Sequence, residues 1–154
     1  MNQLMLNMPQ YGPWMVTHKG DQSCRLLADR HYSRQTIGSP QFTRPGRNLV
    51  LRTAWGDAVW VSWDGIRDDG LRAWECTIFR NESRHLSSDM IHAAVNATID
   101  RWGTLPSDGM ITYVAADKVR SVNPGCCFKA AGWETIGRSK VKGLLLLQYK
   151  EDEA

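Results

Sequence analysis

The sequence predicts a layered α/β domain of the α+β kind, with a mixed, mostly antiparallel sheet flanked by helices. Strand-like runs of β-branched and aromatic residues alternate with amphipathic helical segments, and three such runs follow one another before the best helix. The length of 154 residues favours one domain over 1–154. A hydrophobic content of 42% and a charged content of 23% are ordinary for a soluble globular protein.

The first third of the chain predicts a strand, a helix and a long loop. Residues 13–17 have the composition of a strand. Residues 21–30 predict a helix whose first residue, Asp21, is the N-cap, with Leu26 and Leu27 on its buried side. Residues 33–47 contain Pro and Gly and predict a loop, and a loop of this length is usually functional or disordered.

The middle of the chain predicts three consecutive strands and one long helix. Residues 49–53 and 58–63 predict a hairpin around Gly56 and Asp57, and residues 73–79 predict the next strand. Both faces of 58–63 are largely apolar, so this strand is expected to be central and covered.

The long helix is predicted to cover residues 87–102. Ser87 or Ser88 is the expected N-cap, Asp89 lies in the first turn, and Gly103 follows the end. Its expected buried face consists of Ile91, Ala94, Val95, Thr98 and Trp102.

The last third predicts a strand, a short helix and a final strand pair. The strand covers residues 110–114, and Pro124 and Gly125 open a helix that reaches residue 131. Residues 133–137 and 144–149 predict the closing strands.

Cysteine usage and hydropathy bear on the compartment. The four cysteines include an adjacent pair and no CxxC, so neither a disulfide framework nor a zinc ribbon is expected, and reduced thiols in the cytoplasm are the default. The beginning of the chain has no basic stretch typical of a secretory signal. No apolar run approaches the roughly 18 residues of a membrane helix, so no membrane partner is expected.

Arginines are concentrated in one region. Between Arg25 and Arg52 the chain has six arginines, no lysine and one acid, Asp29. The planar guanidinium suits phosphate, so this region is predicted to bind phosphate groups. An ordinary solvated surface is the alternative. The predicted phosphate contacts are Arg30, Arg34, Arg44 and Arg47.

A second basic segment joins the strand at 73–79 to the long helix. Free N–H groups and the positive end of the helix dipole form an anion site at such a junction. Arg80, Ser83 and Arg84 are therefore predicted to bind an anionic cofactor such as coenzyme A, and Ser83 is also a candidate catalytic hydroxyl. A solvated polar turn is the alternative.

The order of these elements resembles the Gcn5-related N-acetyltransferase fold over nearly the whole chain. In that family the junction carries Arg/Gln-x-x-Gly-x-Gly/Ala. Here Arg80 matches, but Ser83 and His85 occupy the small positions, which argues against ordinary acyl-coenzyme A binding. The segment 128–133, ending in Gly132 and Trp133, matches the last helix and Gly-aromatic exit of that family.

A closer resemblance is to the Mom-like branch, phage proteins that modify adenine in DNA. The segments LADRHYSR (27–34), GSPQFTRPG (38–46) and VRSVNPGCCF (119–128) carry it. The resemblance implies an enzyme acting on the adenine amino group of duplex DNA, with His31 and Tyr32 at the active site as iron ligands. It also implies an acid after the strand at 110–114. Ala115 occupies the expected position, so the nearest acid, Asp117, becomes the third catalytic and metal-binding candidate.

Other interpretations stay open at this point. His31 alone also fits a satisfied histidine at a helix end, and Tyr32 a half-buried aromatic residue. The runner-up function is an acetyl-coenzyme A-dependent N-acetyltransferase acting on a small amine or a protein, with the acyl or amide donor undefined. A nucleic-acid-binding module without catalysis is a third. Duplex DNA is the predicted partner, and homodimer formation is left open.

Overall fold

The protein forms a seven-stranded sheet with helices on both faces. The computed structural model describes residues 11–31, 34, 36–115, 125–140 and 142–151. In chain order the elements are β1 (Trp14–Thr17), α1 (Gln22–Asp29), β2 (Arg47–Thr53), β3 (Ala58–Asp64), β4 (Trp74–Asn81), α2 (Ser87–Trp102), β5 (Met110–Val114), α3 (Cys126–Ala130), β6 (Glu134–Arg138) and β7 (Leu145–Tyr149).

The strands lie in the order β1-β2-β3-β4-β5-β7-β6. Every neighbouring pair is antiparallel except β4 and β5, which are parallel. The predicted fold class, a mixed and mostly antiparallel sheet flanked by helices, is confirmed. The predicted run of consecutive antiparallel strands is also confirmed, because β2, β3 and β4 pair in sequence order.

Helix α1 begins where the sequence predicts. The side chain of Asp21 accepts a hydrogen bond from the backbone N–H of Cys24 at 3.0 Å, which makes it the N-cap. The prediction for Leu26 is wrong: it is 47% exposed, whereas Leu27 is 1% exposed. Cys24, Leu27 and Ala28 share one side at i, i+3 and i+4, and Leu26 is turned away from that side.

Helix α2 follows the prediction except at its start. Gly103 ends it with a positive φ of 92°, as expected. The N-cap is Leu86, which has no polar side chain, so the prediction of Ser87 or Ser88 is wrong. The hydroxyl of Ser87 instead accepts a hydrogen bond from the side chain of Asn81 at 2.9 Å. The start of α2 therefore has no side-chain cap.

The two faces of the sheet have separate cores. The α2 face packs β-strand residues such as Leu51, Trp60 and Trp74 against α2 and α3. The α1 face packs Val59, Val61 and neighbouring strand residues against α1 and Phe42. Successive residues of β3 alternate between these cores and all except its last are buried, which confirms that β3 is a covered, central strand.

Helix α3 is shorter than predicted. It covers Cys126–Ala130, and Pro124 lies outside the described residues. Gly125 precedes it with a φ of 76°, and a Cβ atom there would approach the Leu147 side chain to 2.6 Å. Glycine is therefore needed where the chain enters α3 against the sheet. Among the described residues, no helix is long and apolar enough to cross a membrane.

Candidate functional site

The parallel strands β4 and β5 pair only where they begin. Their register contains Trp74 opposite Met110 and Glu75 opposite Ile111, and the strands then diverge. In α/β sheets, ligands bind beyond the carboxyl ends of parallel strands where neighbouring strands separate. The cavity at this position is about 200 Å³ and is called the β4–β5 cleft. It is lined by His31, Cys76, Thr77, Phe79, Asn81, Ser87, Thr112, Val114, Gly125, Cys127 and Phe128.

A β-bulge in β4 lies at this cleft. Val61 opposes Ile78 and Ser62 opposes Cys76, which leaves Thr77 as the extra residue. Its hydroxyl is buried and has no hydrogen-bond partner among the described residues. A buried hydroxyl without a partner is uncommon in proteins and is available to a bound molecule. The bulge residue Thr77 thus places a polar group at the cleft.

Thr112 bridges the diverging strands. Its hydroxyl donates to the carbonyl of Cys76 at 2.9 Å, a bond that replaces a ladder hydrogen bond between β4 and β5. Cys127 also lines the cleft, and burial raises the pKa of its thiol, so it is protonated at neutral pH. At the cleft, Thr112 therefore links β4 to β5, and Cys127 presents a thiol rather than a thiolate.

His31 enters the cleft from the end of α1. Its backbone N–H donates to the carbonyl of Ala28 at 2.9 Å, which continues the turn of the helix. Burial, with a smaller contribution from the charge of Arg80, lowers the pKa of His31 to about 4. The imidazole is therefore neutral at pH 7 and can accept a proton or bind a metal.

The turn between β4 and α2 is closed by the side chain of Asn81. Its Oδ1 accepts from the backbone N–H of Ser83 at 2.9 Å, and its Nδ2 donates to the carbonyl of His85 at 2.8 Å. The N–H of His85 donates to Ser83 Oγ at 3.2 Å, and the N–H of Glu82 donates to the carbonyl of Asp57 at 2.8 Å. Three backbone N–H groups of this turn, those of Glu82, Ser83 and His85, are thus already hydrogen-bonded within the protein.

Two of the three predicted cofactor-binding residues, Arg80 and Ser83, already form hydrogen bonds within the protein. The hydroxyl of Ser83 donates to Asn81 Oδ1 at 2.5 Å, and Ser83 is not among the residues that line the cleft. Arg80 donates to Glu82 at 2.5 Å and to the carbonyl of Arg30 at 2.9 Å. Arg84 is exposed. Of these three residues, Arg84 has the side chain most accessible to an anion.

Arg30 and Arg80 both donate hydrogen bonds to the carboxylate of Glu82. Two of its nitrogens contact Glu82, at 2.7 and 3.0 Å. Hydrogen bonds from Arg30 and Arg80 lower the pKa of Glu82 to about 2, so the carboxylate is charged at neutral pH. Two guanidinium groups against one carboxylate leave one positive charge beside the cleft.

Arg34 has an internal position, unlike the surface position predicted for it. Its side chain is 7% exposed and pairs with Asp29 at 2.8 Å. It also donates to the carbonyl of Gln41 at 2.6 Å and to the carbonyl of Ser39. These contacts hold the 36–42 loop against the end of α1. Because its donors are committed to them, Arg34 is not placed to contact phosphate.

Arg44 and Arg47 are half-exposed and stacked on tryptophans. Arg44 lies 5.1 Å from the ring centre of Trp63, and Arg47 lies 4.3 Å from that of Trp102. Arg44 also pairs with Glu75 at 3.3 Å, and Arg47 pairs with Asp64 at 2.9 Å. Phosphate would have to compete with these carboxylates. Both side chains keep about half of their surface exposed, at 53% and 48%.

The predicted metal site is only partly described. His31 lies in the cleft, whereas Tyr32 and Asp117 are outside the described residues. The described residues contain no group of three His, Cys, Asp or Glu side chains that could hold a metal ion. Ala115 is 3% exposed and directly follows β5. The structure thus places one of the three predicted ligands.

Sequence reasoning missed several residues at this site and near it. Thr77 and Asn81 were missed because neither a bulge nor a side-chain-filled turn has a distinct residue pattern. Glu75 had a recognisable signal, because an acid inside an apolar strand must be paired. Its partner is Arg67, at 2.9 Å, from a segment predicted only as a hydrophilic turn.

Comparisons of the chain with models of protein families, with curated proteins and with solved structures find no match.

Proposed function

We propose that this chain is a transferase that modifies the amino group of adenine in duplex DNA, with the reaction in the β4–β5 cleft. The observation that carries the proposal is the neutral imidazole of His31 at the place where β4 and β5 diverge. A neutral base beside a substrate pocket can take the proton that an amine loses when it attacks a donor. The four free thiols agree with a cytoplasmic setting.

The choice of DNA as substrate depends on the sequence resemblance. The observed order of elements is the one on which the resemblance to the N-acetyltransferase fold depends. Adenine in a duplex must leave the base stack to reach an enclosed group such as His31. Arg30, Arg44 and Arg47 keep exposed guanidinium surface for phosphates, whereas Arg34 does not.

His31 would act as the base, and Thr77 would orient the substrate. The amine nitrogen would form a bond to the transferred group while its proton passes to the imidazole, and the donor's leaving group would depart. The hydroxyl of Thr77, which has no hydrogen-bond partner in the described part of the chain, would hydrogen-bond to the substrate or the donor. The resemblance implies iron, which His31, Tyr32 and Asp117 would hold.

An acetyl-coenzyme A-dependent acetyltransferase is the second candidate. The uncapped start of α2 favours it, because free N–H groups at a helix start attract phosphate. The hydrogen-bonded turn at Asn81, Ser83 and His85 argues against it. Calorimetric titration with acetyl-coenzyme A separates the candidates: the DNA-modifying proposal expects no saturable heat, and micromolar binding would favour the second.

The decisive experiment is mass spectrometry of nucleosides from DNA co-expressed with the protein. A new adenine derivative is expected with the wild-type chain or with Ala115→Asp, which restores the acid implied by the resemblance. His31→Ala in the active parent should abolish the derivative. His92→Ala, at an exposed position on α2, is the matched control and should retain it.

Further substitutions test the other two predicted active-site residues, Asp117 and Tyr32. If Asp117→Asn abolishes the product and Ala115→Asp has no effect, the acid is Asp117. Tyr32→Phe removes only the phenolic oxygen and tests its predicted role. Unmodified DNA from both parents, or full activity of His31→Ala, would contradict the proposed function.

A further inference from the structure

A groove of about 580 Å³ lies on the α1 face beyond the end of the α1 core. Glu75 and Tyr113 line it from β4 and β5, and Leu146 lines it from β7. These side chains share the α1 face, because Glu75 opposes Trp63 and Tyr113 opposes Leu146 in register. Helix α1 packs on β3 and β4, so this groove lies over the part of the sheet beside that helix.

The charges on the floor of the groove cancel. Arg67 pairs with Asp69 at 2.5 Å and with Glu75 at 2.9 Å, and Arg44 pairs with Glu75 at 3.3 Å. Two guanidinium groups thus face two carboxylates. Hydrogen bonding from Arg67 lowers the pKa of Asp69 to about 2, so the acid stays charged at neutral pH. The net charge of the groove must come from its rim.

That rim is the hairpin between β6 and β7. Arg138, Lys140 and Lys142 line the groove and are exposed, against the single remaining acid, Asp68. None of the three cations forms an ion pair within the described part of the chain. By contrast, the predicted arginines Arg30, Arg34, Arg44 and Arg47 are all paired with carboxylates.

Hydrogen bonds between the described residues close the β6–β7 hairpin. The N–H of Ser139 donates to the carbonyl of Leu144 at 2.8 Å, and Arg138 donates to the carbonyl of Gly143 at 3.1 Å. Among the described residues, strand β6 pairs only with β7 and lies at the edge of the sheet. The cations lie at the exposed tip of this hairpin, where they can approach the phosphates of a DNA duplex.

We propose that the β6–β7 hairpin is the principal phosphate-binding element of this protein for duplex DNA, through Arg138, Lys140 and Lys142. The choice of duplex DNA as ligand rests on the proposed function, whereas the location of the contact rests on three exposed cations that form no ion pair with any described residue. Phosphate contacts of this kind set affinity and orientation but not sequence preference.

The test compares salt dependence of duplex binding by fluorescence anisotropy. Each phosphate contact contributes about 0.9 to the slope of log affinity against log salt, so Lys140→Ala/Lys142→Ala should reduce the slope by about 1.8. The advantage of wild type over this variant then shrinks about twelvefold between roughly 50 and 200 mM salt. Lys140→Arg/Lys142→Arg should keep the wild-type slope.

Lys19→Ala/Lys150→Ala is the matched control, because it removes two exposed lysines away from the hairpin. An unchanged slope for the hairpin variant, or an equal change for the control, would overturn the proposal. So would a wild-type chain that does not bind duplex DNA at 50 mM salt, or one that binds single-stranded RNA more tightly. Failure of the proposed function is separate: DNA would be unmodified while the slopes still differ.

Discussion

The two faces of the sheet differ in how their interiors are built. On the α2 face, aromatic rings form a continuous network in which Phe79 lies 5.7 Å from Trp60 and Phe128 lies 5.0 Å from Trp133, between ring centres. On the α1 face a smaller aliphatic core lies under α1, and ion pairs follow it. The α2 face thus contains the buried aromatic packing, whereas the α1 face contains the buried ion pairs. The β4–β5 cleft lies where the two faces meet.

The largest effect is expected at Trp60, the centre of the aromatic network. This side chain is fully buried and donates to Ser62 Oγ at 2.7 Å. Trp60→Ala should lower the free energy of unfolding by about 4 kcal/mol, because it leaves a cavity and removes the buried hydrogen bond to Ser62. Urea denaturation measures this. Trp55→Ala is the control, since Trp55 is 91% exposed. A comparable loss of stability in that variant would contradict the assignment of stability to the buried aromatic network.

The α1 face should be less sensitive, and its own helix provides the control. Leu27→Ala should cost about 3 kcal/mol, because Leu27 is 1% exposed in the aliphatic core. Leu26→Ala, at 47% exposure, should change stability by less than about 0.5 kcal/mol. Equal effects of the two variants in urea denaturation would contradict the assigned orientation of α1.

Much of the fold was predictable because the hydrophobic pattern has a definite period. Strand β5 has the predicted bounds, and α2 ends at Gly103 as expected. The position of Leu26 was not predictable, because in a two-turn helix adjacent leucines satisfy the periodicity equally well. The N-cap of α2 was missed because Ser87 has a competing partner, Asn81, that only the folded turn supplies.

The candidate site was predictable at His31 and less so elsewhere. A histidine at a helix end before a long loop is a recognisable candidate, and His31 does line a cleft. The direction in which an arginine points has no sequence pattern. Arg34 is internal because Asp29 and loop carbonyls satisfy it, whereas Lys140 and Lys142 lie on the rim of a groove. Ion pairing depends on residues distant in the chain, as Arg44 and Glu75 show.

The buried ion pair between Arg67 and Glu75 allows the contribution of charge on the α1 face to stability to be measured. Glu75 is 3% exposed and neutralises Arg67 and Arg44. Glu75→Gln should lower the free energy of unfolding by about 2–3 kcal/mol, because Arg67 then loses a charged partner in a desolvated position. Asp68→Asn, at an exposed acid of the same segment, is the control and should leave the free energy of unfolding nearly unchanged. If both variants match wild type in urea, the pair does not contribute to stability.

The smallest expected effect is the pH dependence due to His31, which tests the cleft between the two faces. Its pKa is about 4 in the folded protein against an ordinary 6.5, so below pH 6.5 the unfolded chain binds a proton that the folded chain does not. Stability from this group is complete above pH 6.5 and is lost as the pH falls towards 4, by on the order of 2 kcal/mol.

His31→Asn removes this titration, so the difference in unfolding free energy between wild type and variant should shrink between pH 7 and pH 4.5. The carboxylates of Asp69 and Glu82 titrate lower, with pKa values of about 2, and are common to both chains. His92→Asn should keep the wild-type profile, because His92 is exposed. Parallel wild-type and His31→Asn profiles would show that His31 is solvated and charged at mildly acidic pH, and the base assigned to the cleft would then lose its physical basis.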